Sequence, residues 1–270
     1  MKKVLKTSLS VALLFTLIVP VVTAATDNSS VTQFTEVKTS GALKTKVGAY
    51  QGDNTIIIDP KGNKTTVGEL KKLTSFYTTK FSKNTLQLPL QTVPQTAQVT
   101  PLSTDYGRAQ PYYQQNSQNI NCYGYAAGFP WAMNPGDGDN VSNVNDAKYF
   151  TDVNYTAGLV VKDGNTNALY FKAPWRILAS RTSSVNSDEH RIAFRIGWID
   201  ANNNGKVDLS SDVVDYHFMT QNDTGKWSEK HGQLPSINTA ISDPSNFSWD
   251  LGPYSNFYNS STVYIAIRHY

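Results

Sequence analysis

The residue best suited to chemistry is Cys122, the single cysteine of the chain, in the segment QNINCYGYAAGF at positions 118–129. Polar, turn-forming residues come before it. The alanines that follow favour a helix, whose length Gly128 and Pro130 limit. The pattern predicts a thiol at a helix N-terminus, where unsatisfied N–H groups favour the thiolate. We predict a sulfur nucleophile; the alternative is a small buried side chain, because free cysteine is often buried.

A nucleophilic cysteine needs a base to accept its proton. The chain has four histidines that could take this role: His190, His217, His231 and His269. The segment VVDYHFMT at 213–220 alternates as a strand does and places His217 on one face with Asp215 and Met219. The apolar opposite face would hold the strand to the core. We predict His217 as the base, with His231 in the loop EKHGQLP as the second choice.

The strands and the helix that would hold Cys122 and His217 lie in a region that begins at Tyr106. From there, tyrosine and tryptophan become frequent, and short β-type runs alternate with Asn, Asp and Gly turns. The predicted strands lie within 167–179, 190–200, 213–220 and 261–270. In HRIAFRIGWI, one face carries the inward candidates Ile192, Phe194, Ile196 and Trp198. The prediction is an α+β domain, a mainly antiparallel sheet with one helix near its start.

Three segments together resemble a known family: a helix beginning NCYGYA, a strand with DYHF about 95 residues later, and then GKWSEKHGQLPS. They are similar to segments of the secreted bacterial papain-like cysteine hydrolases, broadly the NlpC/P60 type, over residues 106–270. The resemblance implies a papain-like domain in which cysteine opens the first helix and histidine comes from a later strand. The chain departs from the family at Met219-Thr220, where members have an aromatic–Arg pair, and at Glu229, where many have histidine.

The resemblance also implies two supporting roles. A polar residue that follows His217 in the chain would accept the imidazole N–H and hold its tautomer; Asp243 is our choice and Asn238 the alternative. The backbone N–H of Cys122 and a side-chain amide shortly before it would stabilise the oxyanion. The candidates for that amide are Gln118 first, then Asn116 and Asn119.

The implied reaction is hydrolysis of an amide bond in cell-wall peptides or proteins. The thiolate attacks the carbonyl, His217 protonates the leaving amine, and water releases the acyl-enzyme. This chemistry requires no cofactor, and its partner is a peptide or peptidoglycan substrate. Two other classes stay open: a non-catalytic extracellular binding or adhesion module on the same fold, and a calcium-stabilised carbohydrate-binding β-domain. The sequence lacks basic stripes, so we expect no nucleic-acid partner.

The segment DANNNGKVDLSSD at 200–212 has oxygen-bearing side chains at several ligand positions of an EF-hand calcium loop. These residues are Asp200, Asn202, Asn204 and Asp208. The last ligand position holds Ser211 rather than a bidentate Glu, and the flanks are strand-like. Ordinary hairpin-loop chemistry is therefore the alternative. A calcium ion here would be structural, anchoring the loop that leads into the His217 strand.

Residues 1–24 have the pattern of a secretory signal peptide, with Lys2, Lys3 and Lys6 before an apolar run and small residues at the end. The apolar run is too short for a membrane span, so we expect no stable membrane insertion. The prediction is a secreted protein, extracellular or cell-wall associated. Three of the 24 Lys and Arg residues lie in this segment and none of the 21 Asp and Glu, so the remaining chain has 21 of each. In an oxidising compartment, a single unpaired thiol indicates reactivity.

Two parts lie between the signal and Tyr106. Residues 25–87 are predicted to form a small N-terminal segment, a pro-region or targeting region, with two short strands and then a helix. Thr66 and Glu69 have the spacing of a capping box at the start of that helix. Residues 88–105 contain prolines without periodicity and are predicted to be an extended linker before the 106–270 domain.

Overall fold

The computed structural model describes residues 35–38, 44–47, 49–77, 106–166 and 173–268. The predicted signal peptide, the predicted linker at 88–105 and His269 lie outside these ranges.

Helices and antiparallel strands are both present, so the predicted α+β class is confirmed. The helices are α1 (Val67–Tyr77), α2 (Cys122–Ala127), α3 (Lys148–Thr151) and α4 (Val153–Thr166). A smaller sheet holds, in order, β1 (Thr35–Lys38), β2 (Lys44–Val47), β3 (Ile56–Ile58) and β4 (Lys64–Thr66). The strands of the larger sheet are β5 (Arg176–Leu178), β6 (Glu189–Ile199), β7 (Val213–Gln221), β8 (Trp227–Glu229), β9 (Ile237–Asn238) and β10 (Val263–Arg268).

The larger sheet has the order β5-β10-β6-β7-β8-β9, with every neighbouring pair antiparallel. Its centre is the long pair β6 and β7, in register with Phe194 opposite Phe218. Both faces of this pair are covered, since β6 is buried along its whole length. Side chains of alternating residues therefore enter two different cores.

The first core lies between the sheet and helices α2, α3 and α4. The predicted inward residues Ile192, Phe194 and Ile196 of β6 belong to it, as do Tyr216 and Phe218 of β7. The helices contribute small and aromatic side chains, among them Cys122, Tyr123, Ala126, Tyr149, Ala157 and Val160. Rings stack across the layer, with Tyr123 and Phe218 centroids 4.7 Å apart.

The second core covers the opposite face of the sheet. Met219 of β7 and Trp227 of β8 enter it together with Trp249 and Tyr258 from the long connection between β9 and β10. Leu70 of α1 and its neighbours Ile57 and Val67 belong to the same core. The face that carries Met219 therefore also carries Asp215 and His217, because strand residues two apart point the same way.

The N-terminal elements form the predicted ββα unit from β3, β4 and α1. The capping box is present, since the Glu69 backbone N–H donates to Thr66 Oγ1 at 3.2 Å and the Thr66 N–H donates to Glu69 Oε2 at 3.0 Å. Tyr254 of the β9–β10 connection donates its hydroxyl to the Lys64 carbonyl at 3.0 Å. The described residues from Thr35 onward belong to one compact unit, so this segment is part of the same structural body as the large sheet.

Candidate active site

Cys122 is the first residue of α2, as predicted, but its surroundings disfavour a thiolate. Asn121 caps the helix by accepting a hydrogen bond from the Gly124 N–H at 2.9 Å, and Gly128 ends it in a left-handed conformation. The thiol is 2% exposed and donates to the Tyr216 carbonyl at 3.7 Å. Burial raises its pKa well above the ordinary value, and the nearby Asp215 carboxylate raises it further.

Cys122 and His217 lie on opposite faces of the sheet. The thiol packs in the first core with Tyr216 and Phe218. The imidazole of His217 points into the second core, where it stacks on Tyr258 with centroids 5.1 Å apart. The expected Cys122–His217 pair is therefore not formed. The histidine on the Cys122 face is His190, whose Nε2 is 3.0 Å from the Ala126 carbonyl oxygen, one helical turn beyond the thiol.

The residues predicted to support a Cys–His pair lie elsewhere. Gln118 and its alternatives Asn116 and Asn119 are exposed. Asp243 caps the short 3₁₀ helix Pro244–Asn246 by accepting from the Ser245 N–H at 3.0 Å. The alternative Asn238 is exposed on β9. The carboxylate that His217 contacts belongs to Glu229, a residue that the sequence interpretation had treated only as a departure from the family.

Two histidines and one glutamate converge on the second-core face. His217 Nε2 lies 2.8 Å from Glu229 Oε2, and His231 Nε2 lies 3.4 Å from Glu229 Oε1. The two imidazoles stack, with centroids 4.3 Å apart and planes 15° from parallel. Within the described ranges, His217, Glu229 and His231 form a group whose potential metal-ligand atoms all lie within 4.8 Å of one another. The Glu229 carboxylate thus contacts both imidazoles, one with each of its oxygens.

The β7–β8 hairpin explains why these three residues meet. Its register pairs Met219 with Glu229 and Gln221 with Trp227 across the turn formed by Asn222 and the residues that follow it. Continuing that register for two residues beyond the end of β8 brings His231 level with His217. Glu229 and His231 are also two residues apart, so both point to the His217 face.

The local electrostatics favour an ionised carboxylate beside a neutral imidazole. The pKa of His217 is lowered to about 4, mainly by burial and also by the neighbouring His231, while Glu229 opposes the shift. Burial alone would raise the pKa of Glu229, but hydrogen bonds from His217 and His231 outweigh it and hold that pKa well below the usual range. The side chain of the next residue, Lys230, does not join the cluster: its Nζ donates to the Gly232 carbonyl.

Neighbouring aromatic side chains hold the His217 ring in place. Tyr258 stacks on it, and the Tyr258 hydroxyl donates to Asp215 Oδ2 at 2.8 Å. The edge of Trp249 meets the same ring with centroids 5.8 Å apart. The Arg195 guanidinium lies 4.9 Å from the Trp249 ring centroid. The imidazole therefore has packed aromatic neighbours on several sides and little freedom to turn.

A pocket of about 300 Å³ opens onto the cluster. Its wall contains two of the three cluster residues, Glu229 and His231, among both polar and apolar side chains. The other lining residues are Met219, Leu234, Ile241, Ser248, Trp249, Asp250 and Gly252. A concave pocket on which polar groups converge is a candidate small-ligand or active site.

The loop predicted to bind calcium uses its side chains internally. Both carboxylate oxygens of Asp200 accept backbone N–H groups, from Asn204 at 3.1 Å and from Gly205 at 2.6 Å. Asn202 Oδ1 accepts from the Asn204 N–H, and Asp208 Oδ1 accepts from the Ser210 N–H at 2.9 Å. These are the hydrogen bonds of an Asx-rich hairpin loop. A calcium ion at this loop stays a prediction.

Carbohydrate-binding domains commonly stack sugars on exposed aromatic rings, but four of the five tryptophans of this chain are core residues. Trp175, Trp198, Trp227 and Trp249 are each buried. Trp249 alone among these four also lines the pocket. The structure thus gives the carbohydrate-binding alternative no exposed platform from these four rings.

Comparison with protein-family models, with curated protein sequences and with solved structures finds no match to this chain. None of the helices in the described ranges has the length and apolar character needed to span a lipid bilayer.

Proposed function

We propose that this protein is a hydrolase whose active site is the pocket that contains Glu229 and His231. The observation that carries the proposal is the convergence of two imidazoles and a carboxylate at a pocket of about 300 Å³. Carboxylates and imidazoles can accept and donate protons, and here Glu229 and His231 lie where a bound molecule would meet them. Cys122 is assigned no part in the reaction, because its thiol is buried on the other face of the sheet.

In this proposal the cluster activates a water molecule held in the pocket against Glu229 and His231. The water loses a proton to the cluster and its oxygen attacks the carbonyl carbon of an amide. The carbon–nitrogen bond breaks, and the proton passes to the leaving amine. The apolar wall formed by Met219, Leu234 and Ile241 would hold a substrate side chain. His217 is a positioning residue in this mechanism, because its buried ring contacts Glu229 but does not line the pocket.

The substrate class and the location are proposed from the sequence. The family resemblance supports cell-wall peptides or proteins as substrates, and the signal-like segment supports secretion. The papain-like description of the fold also remains a proposal. It is supported by a helix that starts at Cys122 and packs on an antiparallel sheet, and it is opposed by the position of His217 on the other face. Because Cys122 and His217 do not pair, the main argument for a thiol-dependent reaction is lost.

Turnover of fluorophore-labelled casein and of purified peptidoglycan tests the proposal against the thiol-dependent alternative. We expect Glu229→Gln and His231→Gln each to lower turnover by at least about 100-fold, the scale of a lost acid–base group. We expect Cys122→Ser to keep the wild-type rate within about threefold, since a side chain on the far face does not touch the substrate. Circular dichroism shows whether each variant is folded.

Two results would contradict this assignment. Loss of turnover in Cys122→Ser with a folded protein would return the reaction to the thiol. Substrate binding without turnover by the wild-type protein would favour the alternative of a non-catalytic binding module on the same fold. Isothermal titration with the peptides released from peptidoglycan distinguishes that case.

A further inference from the structure

We propose that His217, Glu229 and His231 bind one divalent transition-metal ion, with zinc as the best fit. This inference deepens the proposed function and rests on it in one respect, which is that the pocket is the active site. The ion would be the group that activates water there. Two histidines and one glutamate, with one position left for water, are a ligand set of catalytic zinc sites. Imidazole and carboxylate together also suit iron and other first-row divalent ions.

The spacing of the ligand atoms fits this assignment. A tetrahedral zinc ion with nitrogen and oxygen ligands separates them by about 3.3–3.6 Å, as follows from bond lengths of about 2.0–2.2 Å. His231 Nε2 and Glu229 Oε1 are already 3.4 Å apart, and His217 Nε2 and Glu229 Oε2 are 2.8 Å apart. All three ligand atoms lie within 4.8 Å of one another. Shifts of about an ångström in the Glu229 and His231 side chains, within the reach of their torsions, would complete the geometry around the fixed His217 ring.

The charge balance also favours a cation. Glu229 is a nearly buried carboxylate. In the described part of the chain, the basic groups within ion-pair distance of Glu229 are His217 and His231. A buried anion needs a compensating charge. A divalent ion supplies that charge while both imidazoles stay neutral, as metal binding requires.

The surroundings provide the rigidity and the access that such a site needs. The aromatic neighbours of His217 fix the ring, and Tyr258 among them is itself held by Asp215. On the other side, Glu229 and His231 form part of the pocket wall. A metal ion between the three ligands would therefore keep an open coordination position toward the pocket.

Zinc binding by the purified, chelator-treated protein tests the inference without any substrate. We expect one zinc ion per chain in isothermal titration, a higher Tm with zinc than with chelator, and the visible bands of tetrahedral cobalt when Co²⁺ replaces it. Glu229→Gln and His231→Gln should each weaken zinc binding at least tenfold. The matched controls Asp243→Asn and His190→Gln should bind as the wild type does, since these carboxylate and imidazole groups lie outside the cluster.

The outcomes separate this inference from the proposed function. Stoichiometric zinc binding that is lost in the cluster variants supports the metal site even if no substrate is hydrolysed. The absence of stoichiometric binding by the wild-type protein overturns it, and so does equal binding by the cluster variants and the controls. Hydrolysis that persists in excess chelator would also overturn the role of the ion while leaving the proposed hydrolase standing.

Discussion

At the scale of single residues, position along a helix did not decide the chemistry of Cys122. The sequence correctly predicts that the thiol begins α2, where a helix N-terminus favours the thiolate. A helix of six residues packed on a sheet buries that end, and the cost of moving a charge out of water exceeds the favourable local dipole. The identity of the covering residues is a tertiary property, which spacing along the chain does not contain.

The buried thiol leads to a prediction that needs no substrate. Iodoacetamide should modify Cys122 at least about 100-fold more slowly in the native protein than in denaturant, because only the exposed thiolate reacts. Native labelling should follow the unfolding equilibrium, so that it accelerates with denaturant. Mass spectrometry of timed samples measures both rates. Rapid native labelling, with an apparent pKa below the free-thiol value of about 8.5, would contradict the burial seen here.

At the scale of elements, the β7–β8 hairpin predicts more of the candidate site than either strand does alone. Strand alternation alone places His217 beside Asp215 and Met219, which the structure confirms. Pairing VVDYHFMTQ with WSEKH across the intervening Asn-Asp-Thr-Gly-Lys turn would also have placed Glu229 and His231 beside His217. That register signal was present in the sequence. The sequence does not indicate that α2 packs on the opposite face, because both faces of β7 carry residues that can be buried.

The junction of β5 and β6 gives a prediction about pH. Arg176 donates two hydrogen bonds to the buried carboxylate of Glu189, at 3.2 and 2.8 Å, and the Asn186 N–H donates a third. Burial alone would raise the pKa of Glu189, but these bonds outweigh it and hold the pKa below the ordinary value of 4.5. The stabilisation is therefore complete above about pH 4.5 and is lost as the pH falls through the lower, folded-state pKa.

Glu189→Gln should accordingly lower the free energy of unfolding by about 1.5–3 kcal/mol at pH 7, the scale of hydrogen bonds to a charged group. The difference between variant and wild type should shrink at pH values below about 4.5, where the Glu189 carboxyl becomes protonated first in the unfolded chain and then, at lower pH, in the folded protein. Urea denaturation of both proteins between pH 3 and 7 measures this. A difference that stays constant over that range would show that the charge of Glu189 does not stabilise the fold.

At the scale of the whole molecule, the N-terminal segment is part of the core. The sequence predicts its ββα elements and its capping box correctly, because these depend on local spacing. Its docking depends on which side chains it meets: Leu70 and Ile57 pack in one core with Met219 and Trp227 of the large sheet. The face of the sheet that carries His217 is therefore completed partly by residues that precede the predicted linker.

This arrangement predicts how the chain unfolds. Leu70 is fully buried in the shared core, so Leu70→Ala should lower the free energy of unfolding of the entire unit by about 2–5 kcal/mol. The exposed neighbour Lys72 provides a control on the same helix, and Lys72→Ala should change stability by less than about 0.5 kcal/mol. Circular dichroism reports all elements, whereas tryptophan fluorescence reports only residues 106–270, which hold all five tryptophans of the chain. If the segment is integral, both signals move together to lower denaturant in Leu70→Ala; a tryptophan transition that stays at the wild-type midpoint would mean that the segment folds as a separate unit.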